Sequence, residues 1–164
     1  MAPSIRPARL DDVPALVQLR MANAERHAAL NPSHYRFPEP PAVQRYFEDR
    51  LSNPLADTGV LLVAEVAGTV AGMTELVLLS APPDHQILLP LRRAEIHTVV
   101  LDAYRGKGIG KALIAAAEQH AIERGVTLLF APILAANTQA VGFYSGSGFS
   151  DHGLILTKDL PAGA

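Results

Sequence analysis

The run Arg105-Gly106-Lys107-Gly108-Ile109-Gly110-Lys111 puts three glycines and three cations into a single turn. It follows the β-branched stretch Val99-Val100-Leu101 and leads at once into an alanine-rich stretch with helical spacing. A helix that starts there has first-turn N–H groups with no partner inside the helix, and its N-terminus carries about half a positive charge. Glycines let an anion approach that backbone, so the turn is a phosphate cradle. Two common cradles fail on spacing. A Walker A loop needs four residues between its first glycine and a Gly-Lys pair, then Ser or Thr. Here Gly106 precedes Gly110-Lys111 by too little, and Ala112 stands where a hydroxyl is needed. A dinucleotide fingerprint needs a third glycine where this chain has Lys111, and an acidic ribose partner about twenty residues on.

A second constellation lies downstream, in Asn137-Thr138-Gln139-Ala140-Val141-Gly142-Phe143-Tyr144-Ser145-Gly146-Ser147-Gly148-Phe149. Asn137 and Tyr144 are seven positions apart, so a helix brings both to one side. A phenol placed beside a departing thiolate can donate a hydrogen bond or a proton to it. Packing of the ring, with the hydroxyl bonded to backbone, is the plain alternative. Glu95 and His97 alternate along one predicted strand and so share a face, and Glu75 lies on the strand before it. Carboxylates and an imidazole at such positions can take a proton from an amine. Neutralising a lysine-like amine at pH 7 costs roughly 4 kcal/mol, an α-amino group only about 1 kcal/mol.

Arg105-x-x-Gly108-x-Gly110 after Val-x-x-x-Tyr, together with Asn-x-x-Ala-x-x-hydrophobic-Tyr-x-x-x-Gly-Phe at 137–149, strongly resembles the GNAT superfamily of N-acetyltransferases. The resemblance covers nearly the whole chain. It implies that Arg105, Gly106, Lys107, Gly108, Ile109, Gly110 and Lys111 bind the pyrophosphate of acetyl-CoA. It implies that Val99, Val100 and Leu101 offer backbone groups to pantetheine, with the Val100 N–H polarising the thioester carbonyl. It further implies that Asn137 contacts the pantetheine or phosphate part and that Tyr144 sits near the thioester sulfur. Glu95 is the expected base, His97 its alternate or partner, and Glu75 a group for gripping a cationic substrate. The segment holding His27, His34 and Tyr35 is expected to wall the acceptor pocket, with Tyr35 as a substrate contact. Asp102 stands where the family often has Pro, and Ser145-Gly146-Ser147 replaces commoner charged residues.

These residues need a frame. Ser4 to Pro7 reads as a strand. Asp11-Asp12 before Pro14 starts a helix that runs to about Leu30, and a second runs from Pro41 to Leu51 before Asn53-Pro54. Val60–Val66 and Thr69–Leu79 read as strands joined by Ala67-Gly68. A loop follows to about Leu91, then a strand from Glu95 to Leu101 and a helix from Gly108 to about Arg124 capped by Gly125. A strand over Val126–Leu134, a helix over Asn137–Ser145 and a last strand over Leu154–Lys158 complete the order βααβββαβαβ. That is an α/β domain with helices on both faces of a mixed, mostly antiparallel sheet, the GNAT fold, as a single domain over 1–164.

Composition narrows the rest. The chain has 164 residues, 49% of them apolar and 18% charged, with 14 basic against 16 acidic residues. No basic tract points to nucleic acid. With no cysteine, there is neither a thiol nucleophile nor a thiolate metal site. The histidines lack ligand spacing, so no metal is expected. No apolar leader or membrane-length run appears, which fits a cytoplasmic protein without membrane contact. The expected activity is transfer of an acetyl group from acetyl-CoA to a primary amine of a small molecule or peptide, by direct attack in a ternary complex. The alternative is a non-catalytic acyl-CoA sensor on the same fold; a nucleotide enzyme using the same turn is a third option. The apolar loop Ile87-Leu88-Leu89-Pro90-Leu91 is either a lid over the acceptor or a dimer contact, a homodimer being an option that no residue pattern requires.

Overall fold

The computed structural model describes residues 2–53 and 58–161. Strand β1 (Ser4–Pro7) leads through a short 3-10 turn into helix α1 (Val13–Leu30) and helix α2 (Pro40–Ser52). Each helix begins with proline in its first turn, where the missing N–H costs nothing. The expected break at Asn53-Pro54 falls partly outside the described residues, since Pro54 is not among them; α2 stops at Ser52. Strands β2 (Gly59–Val66) and β3 (Thr69–Leu78) form a hairpin whose turn residues Ala67 and Gly68 both have positive φ, 50° and 79°. That geometry matches the right-handed twist of the flanking strands. Strand β4 (Arg93–Val100), helix α3 (Ile109–Glu123), strand β5 (Leu128–Phe130) and helix α4 (Thr138–Ser145) follow.

The sheet order is β1-β2-β3-β4-β5, antiparallel throughout except for the parallel β4–β5 pair. Two apolar cores lie on opposite faces. Leu16 and Leu19 of α1 and Val43 and Phe47 of α2 pack on Leu61, Val63, Met73 and Val99. Ile109, Leu113 and Ala117 of α3, with Tyr144 of α4, pack on Leu62, Ala64, Ala71 and Ile96. Alternation along β2 feeds the two faces in turn, Leu61 and Val63 to one and Leu62 and Ala64 to the other.

Two expectations need correction. The strand expected over Val126–Leu134 shrinks to Leu128–Phe130. The strand expected over Leu154–Lys158 does not form, and Leu154, Ile155 and Leu156 are about nine-tenths exposed. Phe149 packs edge-on against Tyr144 and His152 against Phe130, which anchors the chain as far as His152. The sheet edge at β5 is a three-residue strand, a short ladder for a partner. The segment instead meets the protein again at His34, whose Nε2 is 2.9 Å from Asp159 Oδ1.

Candidate active site

The pairing of β4 creates the site. β5 pairs with β4 only at Arg93–Glu95, so from Ile96 onward the outer edge of β4 has no strand beside it. The inner edge is fully used: the Leu101 N–H donates to Ala71 O at 2.9 Å, and the register runs from Ala94 to Val100 against Leu78 to Gly72. Antiparallel pairing turns alternate residues to the same neighbour. His97 and Val99 therefore direct their backbone groups at β3, as Leu101 does its N–H, while Thr98 and Val100 direct theirs into the gap. Among the three residues singled out for pantetheine, Val100 is the one whose N–H points outward. The Leu101 carbonyl accepts from Tyr104 N–H, so both of its backbone groups are used within the chain.

Into this gap comes the side chain of Tyr144. Helix α4 is capped by Asn137, whose Oδ1 accepts the Ala140 N–H at 3.2 Å. The cap fixes the helix start, and two turns later Tyr144 is buried with its hydroxyl accepting the Thr98 N–H at 3.1 Å. Phe143 and Phe149 hold its ring edge-on from either side. Burial raises the phenol pKa above its ordinary value, opposed in part by the Thr98 hydrogen bond, so the O–H proton is retained at neutral pH.

The glycine turn closes the gap at its far end. Gly108 is the N-cap of α3 with φ 78°, in the left-handed region, and supplies no capping side chain. A serine or aspartate there would occupy the first-turn N–H groups; glycine leaves them for a ligand. Gly106 is also left-handed, at φ 73°. Gly110 has a different task. A Cβ added to it would lie 2.8 Å from the Phe143 ring, so the glycine lets α4 seat against α3. Arg105 reaches back to Val100 O (3.3 Å) and across to Gln139 Oε1 (3.0 Å), tying turn, strand and α4 together. Gln139 is a link that the sequence did not flag. Lys107 bonds Ala103 O at 3.0 Å and lies over the Tyr104 ring, while on α3 Lys111 is exposed and Ile109 is buried.

The candidate bases lie on the sheet face covered by α1 and α2. His97 Nε2 is 3.5 Å from Glu95 Oε2, and both side chains are partly exposed. Glu75 is the register partner of His97 and is buried. Both of its oxygens are engaged within the chain. Tyr46 Oη donates to Oε1 at 2.5 Å, Arg20 Nη2 to Oε2 at 3.2 Å, and Arg50 Nε lies 3.0 Å from Oε1 in an ion pair without hydrogen-bond geometry. Burial, followed by the hydrogen bond to Glu75, pushes the Tyr46 pKa up to about 12. No motif links Arg20, Tyr46 and Arg50, which lie on two different helices. Tyr35 is set apart from this group, its ring 5.0 Å from that of His27.

Among the described residues no group of three or more acidic, histidine or cysteine side chains could hold a metal ion, and no helix is long and apolar enough to cross a membrane. The apolar loop at 87–91 is exposed, Ile87 fully so.

Comparison with known proteins shows the fold and the family. Over 96% of this chain and 99% of the other, the fold matches a mutant of the BH1408 protein from Bacillus halodurans with a TM-score of 0.85 at 19% identity. A ribosomal-protein-alanine N-acetyltransferase from Brucella melitensis matches with a TM-score of 0.70 at 28% identity, over 92% of this chain and 86% of that one. An aminoglycoside N-acetyltransferase solved in complex with CoA matches with a TM-score of 0.71 at 19% identity, over 98% and 95%. No curated protein matches. The family model for the acetyltransferase (GNAT) family matches residues 23–149, which include the glycine turn, the β4 edge and Tyr144. The chain belongs to the GNAT family of acetyl-CoA-dependent N-acetyltransferases.

Proposed function

We propose that this protein transfers the acetyl group of acetyl-CoA to a primary amine of a small molecule or peptide, by direct attack within a ternary complex. The observation that carries this reading is the meeting of Tyr144 Oη with the backbone of β4 in the gap beside β5. The uncapped start of α3 fits a pyrophosphate, with Arg105 and Lys107 adding charge beside it. The Val100 N–H, turned into the same gap, is positioned to hydrogen-bond the carbonyl oxygen as negative charge develops there.

The amine nitrogen forms the new C–N bond as the C–S bond breaks. The proton leaving the amine passes to the Glu95–His97 pair, directly or through water, and the Tyr144 hydroxyl protonates the departing sulfur. Tyr144 then recovers its proton from solvent. The chain has no cysteine to carry the acetyl group itself, which favours direct transfer. The test is release of free CoA from acetyl-CoA across a panel of primary amines, with the acetylated amine identified by mass. Amine-dependent release supports the reading; CoA binding without turnover on any amine overturns it in favour of a non-catalytic binder.

A further inference from the structure

Two guanidiniums converge on one carboxylate beside the candidate base. Arg20 and Arg50 both reach Glu75, and among the described residues neither has another carboxylate partner. Tyr46 donates to the same carboxylate and brings no charge at working pH, its pKa standing at about 12. Among the described residues, Glu75 thus answers two guanidiniums with a single carboxylate.

Glu75 is 5% exposed, so the carboxylate lies at the bottom of the cluster. Arg20, Tyr46 and His97 surround it and are each about a third to a half exposed. Arg20 spends one nitrogen on Glu75, and its guanidinium is steadied over the rings of Tyr46 and Phe47 at 5.7 and 5.5 Å. A guanidinium held on a ring, with donors left over, is preorganised for a planar or tetrahedral oxyanion. Glu75 and His97 are direct partners across β3 and β4, a pairing that sets Cα atoms about 5.5 Å apart. The Arg20 guanidinium thus stands near the groups that would receive the amine's proton.

We propose that the acceptor is an amine that also bears an anionic group, carboxylate or phosphate, bound by Arg20 while its nitrogen lies at Glu95 and His97. Glu75 is the positioning residue that holds Arg20 and Arg50. A polycationic acceptor is disfavoured, because a second ammonium would meet the guanidiniums. The proposal rests on the acetyl-transfer reading above and names the substrate class for the same site.

Matched amine pairs test it: phenylalanine against phenethylamine, and O-phosphoethanolamine against ethanolamine. Binding is measured by calorimetry on protein saturated with CoA, and kcat/KM by CoA release. The wild type is expected to favour the anionic member of at least one pair by about 10-fold or more. The pair that responds tells a carboxylate from a phosphate. Arg20→Gln should bring that ratio near one. Arg20→Lys, which keeps the charge without the fork, should retain part of the preference. Equal handling of both pairs by the wild type, or a preference that survives Arg20→Gln, overturns the proposal. An Arg20-dependent binding preference without turnover keeps the anion site and overturns the transfer reading instead.

Discussion

The Tyr144 hydroxyl accepts the N–H of Thr98 at 3.1 Å, across the gap that opens where β5 stops. One hydrogen bond so joins α4 to the strand proposed to bind the donor. It leaves the phenolic proton free to point at a sulfur in the gap. Tyr144→Phe should lower kcat about 100-fold while the KM for acetyl-CoA stays within about 2-fold, because only a contact made in the transition state is lost. The partly buried Thr98 N–H would lose its acceptor, at a cost of roughly 1 kcal/mol in stability. Since burial holds the phenol pKa above its ordinary value, the wild-type kcat should not fall from Tyr144 ionisation below about pH 9. Steady-state kinetics and a pH profile of kcat check both points.

The Glu95–His97 pair sets the second prediction. If the pair takes the amine's proton, its removal makes the rate follow the fraction of acceptor already neutral. For a lysine-like amine that fraction rises tenfold per pH unit below about pH 10. Glu95→Gln should therefore depress kcat/KM by about 100-fold near pH 7 and progressively less toward pH 9.5. His97→Gln should show the same steepening if the imidazole relays the proton. A variant profile parallel to the wild type at every pH would remove the residue from the proton path.

Much of this frame was legible in the chain. The boundaries of β1 to β4 and α1 to α3 fall within one or two residues of the expected ones, because proline starts, the Ala67-Gly68 turn and apolar periodicity are local signals. The last strand failed for the opposite reason. Leu154-Ile155-Leu156 has strand-like residues, but a strand needs an edge, and β5 offers three residues. The Arg20–Glu75–Arg50 cluster was invisible because its members lie on α1, β3 and α2, and only the packing of both helices on one sheet face brings them together. Asn137 also gained a local explanation as the cap of α4.

Gly108 and Gly110 stand two residues apart and should fail differently. Gly108→Ala forces a side chain into the left-handed region at φ 78°, which costs about 1 kcal/mol, although nothing lies within 4 Å of the new Cβ. Its stronger effect should be on the donor, with the KM for acetyl-CoA rising about 10-fold as a Cβ enters the phosphate cradle. Gly110→Ala meets the Phe143 ring at 2.8 Å instead. The ring is only partly buried and can swing, so the cost should be about 1 kcal/mol, at the low end for overpacking. The displaced α4 carries Tyr144 with it, so kcat should fall more than KM rises. Adding Phe143→Leu to Gly110→Ala should restore the melting temperature, though not that of Gly108→Ala.

Asp12 ties the N-terminal strand to the rest of the fold, and its charge makes the fold sensitive to acid. Arg6 grips it with both terminal nitrogens, at 2.7 and 2.9 Å, and the Arg9 N–H donates to Oδ2 at 2.7 Å. Arg6 also pairs with Glu65 on β2 at 2.9 Å. The Arg6 hydrogen bonds lower the Asp12 pKa, outweighing the burial that would raise it. A carboxyl whose pKa is depressed in the folded state binds protons more readily when unfolded, so stability falls as pH falls. The contribution is complete above the unfolded value near 3.9 and drains away as pH drops through the folded one. Asp12→Asn should cost about 2 kcal/mol at pH 7, because it leaves Arg6 without its main partner. As pH falls from about 4 down through the lowered folded pKa the wild type loses the same charge, and the two urea midpoints should converge. A gap between them that stays constant from pH 7 down to pH 3 would mean that Asp12 acts through shape and capping alone.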